Sequence, residues 1–193
     1  MLAAGVRVDG LDQSEPGGNF MWLRKAAARC TLWRPSDERD VFEGWHDGYT
    51  RLADPVIHRR RITLDKAARQ VVIEDILQMA AEHDIELFFH CSERCCVDPL
   101  PDGYAISHGN RTLILGLPQG IDATTRVYSG SVSPIFGWVS RRFDEKRPAP
   151  TIVWRARISG GCVLRTRIDC RMEIIQSARV TSSGFLRPRR DAA

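Results

Sequence analysis

Polar residues able to exchange protons or bind anions are concentrated in one short stretch of this 193-residue chain. Histidine and tyrosine can act as acids or bases, and the arginine fork matches the two oxygens of a carboxylate or sulfate. This composition predicts a binding surface for an anionic ligand. The residues predicted to bind it are His46, Tyr49, Arg51, His58 and Arg60.

The same residues also have a structural interpretation. Asp47-Gly48 is a typical turn dipeptide, after which Tyr49 would pack into the core. Alternation along a strand would place His58 and Arg60 on one face, with Arg59 and Arg61 on the other. The structural interpretation is favoured for Asp47 and Tyr49, whereas both interpretations remain open for His58 and Arg60.

The cysteines raise the question of a metal site. Cys91, Cys95 and Cys96 lie close together in sequence, but no second pair follows at zinc-finger spacing. A metal site, a disulfide and free buried thiols are the three alternatives, and we favour free thiols because small apolar cysteines are common in cores. We therefore expect no cofactor and assign no metal ligand, with zinc as the alternative.

The charge composition bears on partners. The net charge is +4, and the basic residues are 25 Arg and 3 Lys. An arginine-rich surface suits an acidic partner, although such a composition can also reflect the genome. No basic run is interleaved with aromatics in a nucleic-acid-binding pattern, so we expect no nucleic-acid partner. No apolar run reaches the roughly 20 residues of a membrane span, and the first residues lack a signal-peptide pattern.

Turn signals recur at short intervals and separate runs of alternating polarity. Pro99–Gly103, Gly109-Asn110 and Ser159–Gly161 are such signals, and Ile152–Ile158 is such a run. This pattern predicts an all-β fold, an antiparallel β-sandwich with little helix. We place one domain at residues 1–180 and a disordered tail at 181–193.

The tryptophans are a further candidate group, because an aromatic ring can stack on the face of a sugar. Core packing is the favoured interpretation for most of them, and Trp138 in particular is expected in the core. The five are Trp22, Trp33, Trp45, Trp138 and Trp154.

Three stretches, in this order and spacing, resemble the heparinase II/III-like polysaccharide lyase family. The similarity extends from Val6 to Ile168 and concerns the C-terminal β-sandwich of that family. Residues 64–87 are ambiguous between helix and strand by local propensity, and the resemblance favours strand. The stretches are residues 6–15 with 18–22 and 25–26, residues 46–52 with 55–62, and Ser133-Pro-Ile-Phe-Gly-Trp-Val-Ser140.

The resemblance implies a two-part enzyme in which an α/α toroid precedes the β-sandwich and the substrate binds between them. Such enzymes cleave uronic-acid-containing polysaccharides by β-elimination: a base removes the C5 proton and an acid protonates the departing glycosidic oxygen. Tyr and His fill these roles in the family, and many full-length relatives are periplasmic. Some members bind a divalent metal, for which His58, His90 and Asp75 are the candidates here.

The sequence departs from the family pattern just before the first matching stretch. Family members read His-Asn-Thr there, whereas this chain reads Ala3-Ala4-Gly5. We therefore assign no catalytic residue and expect a fragment or degenerate copy that is inactive alone. The expected function is the accessory β-sandwich of a lyase, with an acidic polysaccharide and a toroid domain as partners. The alternative is a stand-alone, non-catalytic carbohydrate-binding or interaction module.

Overall fold

The computed structural model describes residues 2–18 and 21–170, and this part of the chain forms strands and turns without any helix. The predicted all-β, antiparallel sandwich is confirmed. No helix long and apolar enough to cross a membrane occurs among the described residues. The tail predicted from residue 181, and with it the domain boundary, lies outside them.

Eighteen strands occur in the described ranges. They are β1 (Leu2–Val8), β2 (Glu15–Pro16), β3 (Trp22–Arg24), β4 (Ala28–Arg34), β5 (Arg39–His46), β6 (Ile57–Asp65), β7 (Gln70–Gln78), β8 (Glu82–Cys91), β9 (Cys96–Leu100), β10 (Gly103–His108), β11 (Arg111–Gly116), β12 (Ala123–Tyr128), β13 (Ser131–Val132), β14 (Ile135–Phe136), β15 (Trp138–Arg142), β16 (Glu145–Pro148), β17 (Thr151–Ser159) and β18 (Cys162–Asp169).

Two large antiparallel sheets carry most of these strands. One has four strands in the order β1-β8-β17-β12, and the other has eight in the order β4-β5-β6-β7-β18-β11-β10-β9. The remaining strands form three two-stranded hairpins. The core contains buried residues from both large sheets, which is the packing that defines a sandwich. Its fully buried side chains include Trp154, Ile152, Leu87, Ile85, Leu77, Leu115 and Leu164.

The segment that is ambiguous between helix and strand in the sequence, residues 64–87, forms strands joined by turns. The end of β6, all of β7 and the start of β8 cover it. On β7 the buried side chains are Ile73, Asp75 and Leu77, which alternate with less buried neighbours at period two. β-branched residues suit such a half-buried strand, so burial on one face decides against the helical propensity of the alanines.

A buried histidine connects three turns at one end of the sandwich. His83, at the start of β8, is 5% exposed. Its Nδ1 lies 2.7 Å from Asp9 Oδ2 and its Nε2 lies 3.0 Å from Asp54 Oδ2. Asp54 also accepts the backbone N–H groups of Ala80 and Ala81. We call this cluster, His83 with Asp9 and Asp54, the histidine clasp.

Candidate functional site

Strand pairing brings three of the five sequence-predicted site residues together. On the inward face of the eight-stranded sheet, His46 of β5 lies opposite His58 of β6. Two residues further along β6, Arg60 lies opposite Asp75 of β7. The alternation of β6 therefore places His58 and Arg60 on one face, as the sequence indicated.

These side chains form a hydrogen-bond chain whose direction can be assigned. The backbone N–H of Gly48 donates to His46 Nδ1 at 3.2 Å, so the proton of a neutral His46 is on Nε2. That nitrogen lies 2.9 Å from His58 Nδ1, and His58 Nε2 lies 2.7 Å from Asp75 Oδ1. Each imidazole therefore accepts through Nδ1 and donates through Nε2, and the chain ends at a carboxylate. We call Gly48–His46–His58–Asp75 the histidine relay.

Burial and charge shift the ionisation of the relay. Burial, followed by the neighbouring His58, lowers the pKa of His46 to about 4, so His46 is neutral at physiological pH. Burial alone would raise the pKa of Asp75, which is 2% exposed. Hydrogen bonds from His58 and Arg60, together with the positive charge of Arg60, outweigh that effect and lower the pKa of Asp75. Asp75 is therefore a buried, ionised anchor.

Arg60 is held in place by this anchor. Its Nε donates to Asp75 Oδ1 at 2.7 Å, and its Nη1 donates to the carbonyl oxygen of Ala4 at 2.9 Å. The second contact joins the eight-stranded sheet to β1 of the other sheet. Within the described residues, Nη2 has no hydrogen-bond partner, so Arg60 keeps donors available while its position is constrained.

A cavity of about 350 Å³ opens beside the relay. His46, His58 and Arg60 line it, together with Ala4–Val6 of β1. Its remaining wall comes from Gln13, residues 28–30 of β4, and Phe42, Gly44 and Trp45 of β5. We call it the relay cavity.

Tyr49 and Arg51, the other two predicted residues, are placed elsewhere. The Tyr49 side chain is fully buried, and its hydroxyl donates to the carbonyl oxygen of Val6 at 2.6 Å. Burial raises the pKa of the Tyr49 phenol far above its usual range. Arg51 donates to the carbonyl oxygens of Asp12, Gln13 and Gly48. Both side chains thus fasten the loop before β6 to β1 and to the turn that follows β1.

Close packing against the backbone explains why the predicted Asp47-Gly48 turn has a glycine at position 48. A side chain at position 48 would collide with the backbone carbonyl of Gln13. The Asp47 carboxylate accepts the backbone N–H of Ala27 at 2.7 Å, which holds the start of β4 against the same turn. The structural interpretation offered for Asp47 therefore agrees with its contacts.

A second cavity, of about 550 Å³, lies against the same strand β1 and shares Gly5, Val6 and Gln13 with the first. Its lining is more aromatic, with Trp22, Phe88, Phe136 and His90 together with Arg7. The Trp22 side chain is 53% exposed. Arg7 lies over the Phe88 ring and pairs with Asp12 and Glu86. We call this the aromatic cavity.

The aromatic cavity was largely missed from the sequence. Of its lining residues, the sequence suggests only Trp22 as a sugar contact, as one of five tryptophans able to stack on a sugar, and His90 only as a metal ligand. Its walls come from the hairpin β2–β3, from β8 and from β14, which are far apart in the chain. A local pattern carries no signal for such an assembly.

The described residues do not fit the divalent metal that some family members bind. His90 lies on β8 of the other sheet and contacts Thr151, so it does not join His58 and Asp75. Both nitrogens of His58 already have partners, and Asp75 is occupied by Arg60. In this part of the chain, no group of three or more His, Cys, Asp or Glu side chains is arranged to hold a metal ion.

The six cysteines are all free thiols. Cys91 is buried, and burial raises its pKa to about 11. Cys30, Cys96 and Cys170 are exposed, so the expectation of buried thiols applies to Cys91 and not to these three.

Comparisons with known proteins agree with the architecture. The chain matches the family model "Heparinase II/III-like, C-terminal" over residues 3–174. Solved structures with the same fold include heparan sulfate lyase HepC from Pedobacter heparinus, with 11% identity and a TM-score of 0.62 over 76% of this chain. A heparinase III structure has 15% identity and a TM-score of 0.63 over 85% of this chain. No curated protein matches the sequence.

The chain spans 22% of the length of the HepC structure and 23% of that of the heparinase III structure. The family match covers most of the chain and agrees with the two-sheet fold. The chain therefore belongs to the heparinase II/III-like family and corresponds to its C-terminal domain.

Proposed function

We propose that this chain is the accessory β-sandwich of a lyase that acts by β-elimination on uronic-acid-containing polysaccharide. In this proposal it binds the acidic polysaccharide beside β1 and works with an α/α-toroid catalytic domain. By itself it binds the polymer without cleaving it.

The observation that carries the binding proposal is the position of Arg60. Its guanidinium is fixed by Asp75 and Ala4, lines the relay cavity, and retains N–H donors on Nη2. A pre-positioned guanidinium loses little freedom when it binds a carboxylate, which favours a uronate over a neutral sugar. The adjoining aromatic cavity offers Trp22 and Phe136 for the apolar face of a sugar ring.

The contacts of the relay support a binding role rather than acid–base chemistry. A catalytic acid or base must reach the proton that it transfers. The Tyr49 hydroxyl is buried against Val6, and both ring nitrogens of His46 and of His58 are engaged within the relay. His58 instead bonds to Asp75, which anchors Arg60, and both histidines line the relay cavity.

Titration calorimetry with a defined uronate oligosaccharide, such as an alginate tetrasaccharide, tests the proposal. Cellotetraose serves as the neutral comparison. We expect weak binding of the uronate, little binding of cellotetraose, and weaker binding as salt rises, because exposed charge pairs are screened beyond about 8 Å at physiological ionic strength.

Arg60→Lys is the informative variant, because it keeps the positive charge beside Asp75 but removes the fork. It should weaken uronate binding roughly fivefold to tenfold, the cost of one lost charge-assisted contact. Arg167→Lys, at an exposed position on β18, is the matched control and should bind normally. Equal affinity for both sugars, or equal loss in both variants, would contradict the proposal.

A further inference from the structure

A third cleft, of about 490 Å³, lies between the turn that follows β8 and the hairpin formed by β15 and β16. Four arginines and two glutamates line it, together with His108, Ser92 and Cys95. With His108 neutral, these side chains carry a net charge of +2. We call this the arginine cleft; it shares no lining residue with the relay or aromatic cavity.

Both carboxylates in the cleft are already neutralised. The Glu93 carboxylate accepts hydrogen bonds from Arg141 Nη2 at 2.8 Å and Arg141 Nε at 3.3 Å. Ser92 Oγ also donates to it, at 3.0 Å. The Arg141 hydrogen bond is the main reason that the pKa of Glu93 is lowered to about 2. Glu145 accepts Arg147 Nε at 2.6 Å. Glu93 therefore remains ionised and paired at neutral pH, and Glu145 is paired with Arg147.

The remaining basic groups are uncommitted. In the described ranges, the side chains of Arg94, Arg142 and His108 have neither an ion pair nor a hydrogen-bond partner. Arg94 and Arg142 are both exposed, so each guanidinium offers its full set of donors. They approach the cleft from two different elements, the turn after β8 and the end of β15. Two forked cations around one concave surface are suited to an oxyanion with several acceptor oxygens.

The hairpin that forms one side of the cleft is held firmly and has an aromatic tip. Trp138 Nε1 donates to the carbonyl oxygen of Ser131 at 2.8 Å, and Lys146 Nζ lies 4.5 Å from the centroid of the Trp138 ring. At the tip, the Phe143 side chain is 91% exposed. Phe143 does not itself line the cleft, but it directly follows Arg142, which does. An exposed ring in that position can pack against a sugar that carries the anion, whereas a free inorganic ion would make no such contact.

We propose that the arginine cleft is a binding site for a sulfated glycan, in which Arg94 and Arg142 hold a sulfate ester and Phe143 packs against the adjoining sugar ring. The site is separate from the cavities beside β1. This proposal is independent of the proposal that the relay cavity binds a uronate.

The test is calorimetric binding of a heparin-derived hexasaccharide, compared with the same oligosaccharide after chemical desulfation, at constant ionic strength. Desulfation keeps the carboxylates, so it isolates recognition of sulfate. The sulfated sugar should bind more tightly. The double variant Arg94→Gln/Arg142→Gln should weaken its binding by roughly fivefold for each arginine removed.

A matched control removes the same charge from exposed positions on other strands, through Arg34→Gln and Arg167→Gln on β4 and β18. This control should bind the hexasaccharide within twofold of the wild type, because net charge contributes only weakly at a distance (~8 Å screening length). Equal loss in both double variants would mean that binding follows net charge, and would overturn the site. Unchanged binding in Arg94→Gln/Arg142→Gln, or equal affinity for the desulfated sugar, would also overturn it.

Two further measurements separate this ligand from other anionic surfaces. Phe143→Ser should weaken binding of the hexasaccharide and leave thermal unfolding unchanged, because the side chain is almost fully exposed. Phosphatidylserine vesicles should not compete with the hexasaccharide. Vesicle binding that is lost in Phe143→Ser while hexasaccharide binding is kept would assign the hairpin to a membrane surface and overturn the proposal.

Discussion

His46 connects the backbone of the Asp47-Gly48 turn to a buried carboxylate through His58. It can do so only while neutral, because a protonated Nδ1 could no longer accept the N–H of Gly48. Burial, with the neighbouring His58 as the second cause, keeps it neutral by lowering its pKa to about 4. The free energy of unfolding must then depend on pH through this residue.

Acidification should destabilise the protein through His46. In the unfolded chain a histidine takes up a proton near pH 6.5, whereas folded His46 resists until about pH 4. The contribution is fully present above about 6.5 and is lost as the pH falls toward 4. Because His46 is only half-buried, solvent screening reduces the effect to about 1–2 kcal/mol.

Urea unfolding of the wild type and of His46→Gln at neutral pH and near pH 4.5 measures this effect. Glutamine can still donate to His58 but does not titrate. The wild type should lose about 1–2 kcal/mol more than the variant between the two conditions. Parallel losses in the two proteins would show that His46 is not the group responsible.

Single residues also show what the sequence could and could not indicate. The turn at Asp47-Gly48 and the shared face of His58 and Arg60 followed from local rules. The partner of Arg60 did not, because Asp75 reaches it only through the register of β6 and β7. Tyr49 and Arg51 have the residue types of a binding site, but the sequence gives no sign of their long-range hydrogen-bond partners, the carbonyl oxygens of Val6 and Asp12.

At the scale of elements, the histidine clasp joins the turn after β1, the loop before β6 and the turn between β7 and β8. Burial alone would lower the pKa of His83. The hydrogen bonds and negative charge of Asp9 and Asp54 outweigh that effect and raise it. Because both ring nitrogens face carboxylates, His83 holds the clasp as an imidazolium.

Raising the pH should loosen this clasp, the opposite direction from the His46 effect. The stabilisation is complete below the unfolded pKa of about 6.5 and is lost as the pH rises through the higher folded pKa of His83. His83→Gln should cost about 1–2 kcal/mol at pH 6 and less at pH 8.5. Chemical denaturation at both pH values measures the difference, with His108→Gln as an exposed control. A cost that does not change with pH would rule out the charged clasp.

Elements were easier to anticipate than their assembly. Alternating polarity and turn residues indicated strands at β11 and β17, and family resemblance decided between helix and strand for β7. Nothing local indicates that β7 pairs with β18, some ninety positions later, or that β1 pairs with β8. The aromatic cavity combines residues of β1 and β8, and the relay cavity combines residues of β1, β4, β5 and β6, so their walls could not be derived from local sequence patterns.

At the scale of the whole molecule, we proposed that this chain binds the polysaccharide while a toroid domain carries out catalysis. The purified 193-residue chain should therefore not catalyse elimination. Ala3-Ala4-Gly5 stands where the family resemblance implies His-Asn-Thr, and the Tyr49 hydroxyl is buried. Elimination creates a double bond conjugated to the carboxylate, so ultraviolet absorbance reports it directly. Alginate, heparin and heparan sulfate should give no increase, while an active heparinase on the same heparan sulfate gives one. An increase proportional to the concentration of this chain would contradict the prediction.

The pairing of Arg60 with Asp75 also bears on how the chain finds its fold. Between that pair and the turn that joins β6 to β7, Ile62 lies opposite Ile73 and Leu64 lies opposite Val71. A slip of two residues would keep apolar side chains inside, because strand alternation has a period of two. It would, however, separate the buried Asp75 carboxylate from the Arg60 guanidinium that lies opposite it, a misalignment that costs several kcal/mol. The hydrophobic pattern thus tolerates several alignments of this hairpin, and one buried charge selects among them.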